Sequence, residues 1–132
     1  MAITLEQFAD LLEGKKAFAN LGTIMPDGTP QVTPVWFDWD GSHVRINSAR
    51  GRVKDRNMRE RRVVALAISD PDNAYRFLSI RGRVVEVTEA GADAHIDALA
   101  KKYLGQDRYP YRRADEVRVT YKIRPERLGG MA

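Results

Sequence analysis

The residues best suited to chemistry in this sequence form a run of cations near the middle of the chain. Eight basic residues fall between positions 45 and 62, and only Asp55 and Glu60 oppose them. The eight are Arg45, Arg50, Arg52, Lys54, Arg56, Arg59, Arg61 and Arg62. Arginine and lysine form charge-assisted hydrogen bonds with phosphate and carboxylate groups. The run therefore indicates either an anion-binding site or a basic helix face exposed to solvent.

The place of four residues in this segment, three of the cations and Asn57, favours a phosphate pocket. They come just after a predicted strand, where the chain passes into a predicted helix: Arg52, Lys54, Arg56 and Asn57. Free N–H groups at the start of a helix attract anions, and nearby Arg and Lys side chains add hydrogen bonds to them. A solvated helix face is the alternative interpretation.

A second polar group lies on a predicted strand from about residue 31 to 38. One face of this strand carries Gln31, Thr33 and Val35, and the other carries Val32, Pro34 and Trp36. Pro34 has no N–H to donate, which places it on a sheet edge or beside a non-protein partner. Gln31 and Thr33 can hydrogen-bond the rim of a heteroaromatic ring, although an ordinary edge strand has the same pattern. Trp36 either flanks such a ring or fills the core.

The remaining composition excludes most chemistry that side chains carry alone. The chain has no cysteine, which excludes disulfides, thiolate nucleophiles and Cys-ligated metal sites. Its two histidines, His43 and His95, are isolated, and no serine lies in a G-x-S-x-G turn. Neither G-x-G-x-x-G nor a Walker loop is present. We therefore predict no metal site, name no catalytic residue, and expect a bound cofactor to carry any difficult step.

The elements that must position these residues are mostly β-strands. Short β-branched or alternating apolar runs between turn signals predict six strands. They span about residues 17–24, 31–38, 43–47, 63–68, 76–87 and 117–123. Helical spacing predicts helices over 5–14 and 91–104, and the polar segment 50–62 is expected to be a short basic helix. The sequence thus predicts one mainly β domain over residues 1–132, a six-stranded antiparallel barrel with peripheral helices.

Charge and hydropathy restrict the partners. The net charge of +4 favours an anionic partner. No segment approaches the ~18 consecutive apolar residues of a membrane span, and the first residues lack the pattern of a secretion signal, so we expect a cytoplasmic protein without a membrane partner. Nucleic-acid binding would need aromatic side chains among the cations for base stacking. Residues 45–62 contain no Phe, Tyr or Trp, which argues against a nucleic-acid partner.

Three segments in this order and spacing resemble the FMN-binding split-barrel superfamily of pyridoxamine 5'-phosphate oxidase. They are Gly28-Thr29-Pro30-Gln31-Val32-Thr33-Pro34-Val35-Trp36, Arg52-Val53-Lys54-Asp55-Arg56-Asn57 and Tyr75-Arg76-Phe77-Leu78-Ser79-Ile80-Arg81-Gly82. Within it the chain is most similar to the F420-dependent flavin and deazaflavin oxidoreductases. The resemblance implies a split β-barrel that works as a homodimer, with cofactor in grooves along the dimer interface. The vitamin-B6 oxidases are longer at the C-terminus, so we expect a reaction other than pyridoxamine-phosphate oxidation.

The resemblance also implies roles for individual residues. In the family pattern the cofactor phosphate is held by Arg52, Lys54 and Asn57. The tricyclic ring lies along Gln31, Thr33, Pro34 and Val35, near Trp36, Asn47 and Ser48. The partner chain is expected to contribute Tyr75, Arg76 and Phe77. A small-molecule substrate completes this site.

The implied activity is that of an oxidoreductase in which reduced coenzyme F420 transfers hydride to a small organic acceptor. FMN is the alternative cofactor. F420 carries several glutamate carboxylates beyond its phosphate, which would give the excess arginines a partner, whereas one phosphate hardly requires so basic a groove. A non-catalytic flavin- or deazaflavin-binding protein with the same groove is a further alternative. Tyr75, Tyr109 and Tyr111 are candidate proton donors, and no motif identifies the substrate.

Overall fold

In the computed structural model, which describes residues 2–132, seven antiparallel strands form one sheet. The strands are β1 (Ala19–Ile24), β2 (Pro30–Val35), β3 (Phe37–Trp39), β4 (Val44–Ala49), β5 (Val63–Asp70), β6 (Asn73–Thr88) and β7 (Arg118–Met131). Two α-helices interrupt this series, α1 (Val53–Glu60) between β4 and β5 and α2 (Ala92–Leu104) between β6 and β7. No helix in residues 2–132 is long and apolar enough to cross a membrane.

The order of the strands shows how the sheet curls. It runs β2-β1-β5-β6-β7-β4-β3, so β2 and β3 lie at opposite edges. Yet only Trp36 separates these two strands in the chain. The sheet must therefore curl until its edges approach each other at Trp36, which produces the split β-barrel that the family resemblance implies. The mainly β fold class is confirmed.

The predicted number of six strands is wrong by one. The segment expected as a single strand over residues 31–38 is divided into β2 and β3. β2 pairs with β1, whereas β3 pairs with β4. The chain changes sheet edges at Trp36, and alternating hydrophobicity alone does not reveal such a change of partner. Pro34 lies on an edge strand, as its missing N–H predicts.

Side chains on the inner face of the strands fill the barrel. Leu21, Ile46, Leu66, Ile80 and Tyr121 are fully buried there, one from each of five strands. The N-terminal segment covers one end of this core with its buried side chains Phe8, Leu11 and Leu12. That segment is a 3-10 turn, Leu5–Phe8, followed by a π-type turn, Asp10–Gly14, rather than the one helix expected over residues 5–14.

A bulge in the long strand β6 depends on Gly82. The pairing of β6 with β7 shifts register between Arg81 and Gly82. A Cβ atom at position 82 would lie 2.6 Å from the carbonyl oxygen of Arg124. The expected bulge or close backbone approach at this glycine is confirmed. Because a bulge bends its strand, it helps the 16-residue β6 follow the barrel wall.

Candidate functional site

A cavity of about 240 Å³ lies where the edges of the sheet meet the two helices. Its lining comes from the β2–β3 junction, β4, the start of α1, α2, the segment before β1 and the segment leading into β7. The lining residues are Phe18, Pro34, Val35, Trp36, Asn47, Arg52, Lys54, Ile96, Leu99, Tyr109, Tyr111 and Arg118. Cations and aromatic rings thus share one concave surface.

The start of α1 is held in place by the buried carboxylate of Asp55. This carboxylate accepts hydrogen bonds from the Gly51 N–H and from Arg59 Nε, both at 2.9 Å. The phenol of Tyr121 inside the barrel donates a third. Burial raises the pKa of Asp55, but the hydrogen bonds, led by that from Tyr121, outweigh burial and lower the pKa. The ionised carboxylate therefore fixes the turn before α1, which places Arg52 and Lys54 at the cavity.

The cavity carries more positive than negative charge. Arg52 and Arg118 both pair with Glu116, at 2.8 and 3.2 Å. Lys54 pairs with no carboxylate anywhere in residues 2–132, and its hydrogen bond is to Thr33 Oγ1 at 3.5 Å. One carboxylate thus faces three cations, so two positive charges are uncompensated. Burial, and next the repulsion from Arg52 and Arg118, lower the pKa of Lys54.

Arg118 is the most firmly held of these cations. It is buried, and its Nε donates to Asn47 Oδ1 at 2.9 Å. Its guanidinium also lies 5.3 Å from the centre of the Tyr109 ring. The sequence does not identify this residue as part of a site, because it stands on the polar face of an alternating strand, a face that is usually exposed. Here α2 and the segment before β7 cover that face, and no signal in the strand itself reveals it.

An aromatic wall stands beside the cations. The Trp36 ring stacks on Tyr103, with centroids 5.2 Å apart and planes 4° from parallel. Tyr109 meets Trp36 edge to face, at 6.1 Å and 88°. The Tyr103 hydroxyl donates to the Ala17 carbonyl, and burial raises the Tyr103 pKa to about 12, so this phenol stays neutral. Trp36 thus packs against a second, smaller apolar cluster that contains Tyr103, and it also lines the cavity.

Six of the cofactor-binding residues named from the sequence meet at this cavity: Pro34, Val35, Trp36, Asn47, Arg52 and Lys54. Two of the three candidate proton donors, Tyr109 and Tyr111, also line it, whereas Tyr75 does not. Thr33 is adjacent through its contact with Lys54. Gln31 accepts a hydrogen bond from Thr23 Oγ1 at 3.2 Å. Ser48 alternates with Asn47 along β4 and so faces the other side of the sheet. Its buried hydroxyl has no hydrogen-bond partner among residues 2–132.

Four other named residues do not line the cavity of their own chain. Asn57 is buried, and its amide donates to Thr23 Oγ1 at 3.0 Å and accepts from Arg61 at 3.1 Å. Arg76 pairs with Asp10 and Asp70. Tyr75 is 82% exposed, and Phe77 is half-buried near it on β6. A contribution of residues 75–77 to the site of a second chain is still a prediction.

Most of the basic run is paired within the chain. Five of its eight members contact a carboxylate: Arg45, Arg50, Arg52, Arg59 and Arg61. In the described part of the chain, Lys54, Arg56 and Arg62 do not. Of these three, only Lys54 lines the cavity. The run therefore combines structural ion pairs with one cation, Lys54, that has no carboxylate partner and lines the cavity.

Comparisons with known proteins agree with this architecture. The family model described as pyridoxamine 5'-phosphate oxidase matches residues 4–132. A solved structure named F420 reductase is 36% identical, covering 91% of this chain and 94% of its own, with a TM-score of 0.80. A conserved hypothetical protein from Mycobacterium tuberculosis is 21% identical (98% and 85% coverage, TM-score 0.74).

HupZ from Group A Streptococcus is 21% identical, covering 98% of this chain and 94% of its own, with a TM-score of 0.68. At 21% identity, HupZ and the M. tuberculosis protein support the fold alone. No curated protein sequence matches the chain.

Proposed function

Since the chain belongs to the pyridoxamine 5'-phosphate oxidase family, we propose that it is an oxidoreductase that uses reduced coenzyme F420 to transfer hydride to a small organic acceptor. Membership of this family supports a flavin-type cofactor, and the cavity described above is the site proposed for it. That the protein acts in the cytoplasm is still a prediction from the sequence.

The observation that carries this proposal is the uncompensated charge of Arg52, Lys54 and Arg118. In the free protein, burial and two neighbouring arginines lower the pKa of Lys54, which means that its charged form is disfavoured. An anion in the cavity reverses this, because it supplies the opposite charge that the described residues lack. A phosphate group meets this requirement, since all three side chains can donate charge-assisted hydrogen bonds to it.

The aromatic wall fits the other end of such a cofactor. Trp36 is already held flat against Tyr103, so it can support a planar ring without a further loss of side-chain freedom. Val35, Ile96 and Leu99 add apolar surface to the cavity. These residues would orient the ring and exclude water from it. When bound, the reduced cofactor supplies the hydride, while the chain itself supplies binding and orientation.

The preference for F420 over FMN rests on the 36% identity with the F420 reductase. The excess of arginines supports it less than the sequence suggests, because five of the eight cations already have carboxylate partners. FMN would meet the same three cations with its single phosphate. A non-catalytic binding protein would use the same cavity, so turnover separates these functions.

The proposed assembly is a homodimer. Ligand sites usually enclose about 300–1,000 Å³, and the cavity formed by one chain is only about 240 Å³. A second chain that covers the open side would enlarge the site, in accord with the roles predicted for Tyr75, Arg76 and Phe77. Analytical ultracentrifugation at micromolar concentration should show a dimer. A monomer under these conditions would contradict this part of the proposal.

The proposal is tested by titrating the purified protein with F420 and FMN in parallel, following the quenching of cofactor fluorescence. We expect tight, saturable binding of F420 and weaker binding of FMN. Reduced F420 bound to the protein should then be oxidised in the presence of activated alkenes or related acceptors. Tighter binding of FMN would support the alternative cofactor. Binding without turnover across many acceptors would support the non-catalytic function, and binding of neither would refute the proposal.

A further inference from the structure

A chain of buried polar side chains leads from the cavity, between α2 and the sheet, to Asp38 on β3. It begins at Arg118, whose Nε donates to Asn47 Oδ1 at 2.9 Å. The amide nitrogen of Asn47 lies 3.3 Å from Nδ1 of His95, on α2. The other imidazole nitrogen, Nε2, lies 3.3 Å from the carboxylate of Asp38. All but Asp38 are more than nine-tenths buried, and none of the roles given above uses His95.

The direction of each hydrogen bond follows from the donors available. A guanidinium can only donate, so the Asn47 atom facing Arg118 must be its oxygen. The Asn47 nitrogen therefore faces α2, where it donates to the Ala92 carbonyl at 2.9 Å and to His95 Nδ1. Nδ1 must then accept, and a neutral imidazole carries its proton on Nε2. The opposite end agrees, because Nε2 faces the Asp38 carboxylate.

The Asp38 end of the chain is fixed as well. Arg45 holds the Asp38 carboxylate with two hydrogen bonds of 2.8 Å. The hydroxyl of Thr120, on β7, lies 3.0 Å from Nδ1 and can donate to the same nitrogen. The Asn47 amide and the Asp38 carboxylate therefore favour an acceptor at Nδ1 and a donor at Nε2. The Thr120 hydroxyl, which can donate or accept, is compatible with this tautomer.

From this geometry we infer that His95 is a positioning residue for the cofactor anion. Its Nδ1 acts together with the Ala92 carbonyl to orient the amide of Asn47, and the amide oxygen in turn aims the Arg118 guanidinium at the cavity. Nε and Nη1 of Arg118 are used within residues 2–132, by Asn47 and Glu116. These two contacts set the direction in which Nη2 points. This inference rests on the proposed function, because it assumes that an anion binds beside Arg118.

Loss of the acceptor at Nδ1 has a defined consequence. The Asn47 nitrogen would then keep only the Ala92 carbonyl as a partner, so the amide would be held less firmly with its oxygen toward Arg118. Arg118 would leave its present orientation more often, and the cavity would keep its charge but lose a prepositioned donor. Anion affinity should fall although no group that touches the anion has been changed.

Two isosteric replacements separate this role from a purely structural one. An asparagine at position 95 ends near the place of Nδ1 and can offer its oxygen to Asn47. A glutamine reaches the place of Nε2, offers its amide to Asp38, and leaves Nδ1 empty. F420, with FMN in parallel, is the probe in fluorescence titrations. We expect H95Q to bind F420 about tenfold more weakly than wild type, and H95N to lose less than about threefold.

A double-mutant cycle with R118M tests whether His95 acts through Arg118. In the R118M background H95Q should change the dissociation constant by less than about twofold, since the oriented group is already gone. Equal losses in H95N and H95Q, or effects of H95Q and R118M that multiply in full, would overturn the inference. Thermal unfolding of each variant identifies any that has failed to fold, and the H95N and H95Q comparison is made only between folded chains.

NMR on the cofactor-free chain keeps this inference separate from the proposed function. The ¹⁵N shifts of the His95 ring should show the Nε2–H tautomer, and the Arg118 Nε–H should exchange slowly in wild type and H95N but rapidly in H95Q. An Nδ1–H tautomer, or the same exchange rate in all three, would overturn the inference. If wild type binds neither F420 nor FMN, the proposed function fails while these spectra still decide whether His95 orients Arg118.

Discussion

Replacing Lys54 with methionine should weaken cofactor binding without destabilising the protein. Methionine keeps the unbranched stem of the side chain but removes the charge that the cavity leaves uncompensated. In the free protein, burial and repulsion from Arg52 and Arg118 already disfavour the charged ammonium. Its removal relieves both effects, so the variant should unfold at the same temperature as wild type or at a slightly higher one. Affinity and stability should therefore change independently.

The size of the binding effect follows from the contact that is lost. A hydrogen bond to a charged group contributes about 1.5–3 kcal/mol, which corresponds to a roughly 10- to 150-fold weaker dissociation constant. Because Lys54 is only half-buried, water weakens its interaction with the anion. We therefore expect a result near the lower end of this range. Cofactor fluorescence titration measures the constant directly.

The matched control is Arg56→Met on the same helix. It removes the same charge from an exposed position that does not line the cavity. If Lys54 acted only through long-range attraction, both substitutions would weaken binding equally. If Lys54 contacts the anion directly, only Lys54→Met weakens binding. Equal losses, or an unchanged constant for Lys54→Met, would refute the assignment of Lys54 to the anion site.

Three further predictions concern pH, the anchor of α1 and the bulge. Because anion binding favours the charged ammonium, affinity should fall as pH rises through the lowered pKa of Lys54, beginning below the usual lysine range. Titrations between neutral and alkaline pH should show this fall in wild type but not in Lys54→Met. Tyr121→Phe removes a hydrogen bond to the buried Asp55 carboxylate and should lower the free energy of unfolding by about 1.5–3 kcal/mol, measured by denaturant titration; an unchanged midpoint would contradict that role. Gly82→Ala should be destabilising by about 1–3 kcal/mol, since its Cβ would lie 2.6 Å from a carbonyl oxygen; unchanged thermal stability would show that the bulge adjusts freely.

The sequence predicts the strands well where side chains alternate between core and solvent, and less well where the chain changes partner. β5 and β6 are found close to their predicted positions because each is a β-branched or alternating run bounded by turn signals. The division at Trp36 was missed, since it arises from the closure of the sheet rather than from any local preference. The last strand continues to Met131, well beyond the predicted end at residue 123.

The cause of that last error lies in the bulge. Pro125, which resembles a strand breaker, stands opposite Gly82 at the register shift, where its missing N–H does no harm. A bulge depends on two distant segments at once, so the residues after Ile123 could not reveal it by themselves. Local breaker signals are reliable only where the partner strand is regular.

The candidate site, like the strands, was predictable where local sequence signals exist and not where distant segments meet. Arg52 and Lys54 could be named from their place between a strand and a helix, and the structure brings both to the cavity. Arg118, Ile96 and Leu99 could not, because they reach the cavity only when α2 packs on β4 and β7. The pairing of most basic residues with carboxylates was equally invisible, since partners such as Glu89 and Glu116 lie far along the chain.

The most direct measurement is a crystal structure of the protein with F420 bound. We expect the phosphate to contact Arg52, Lys54 and Arg118, and the tricyclic ring to lie along Pro34, Val35 and Trp36. A cofactor bound elsewhere on the chain, with these three cations facing only solvent, would contradict this expectation.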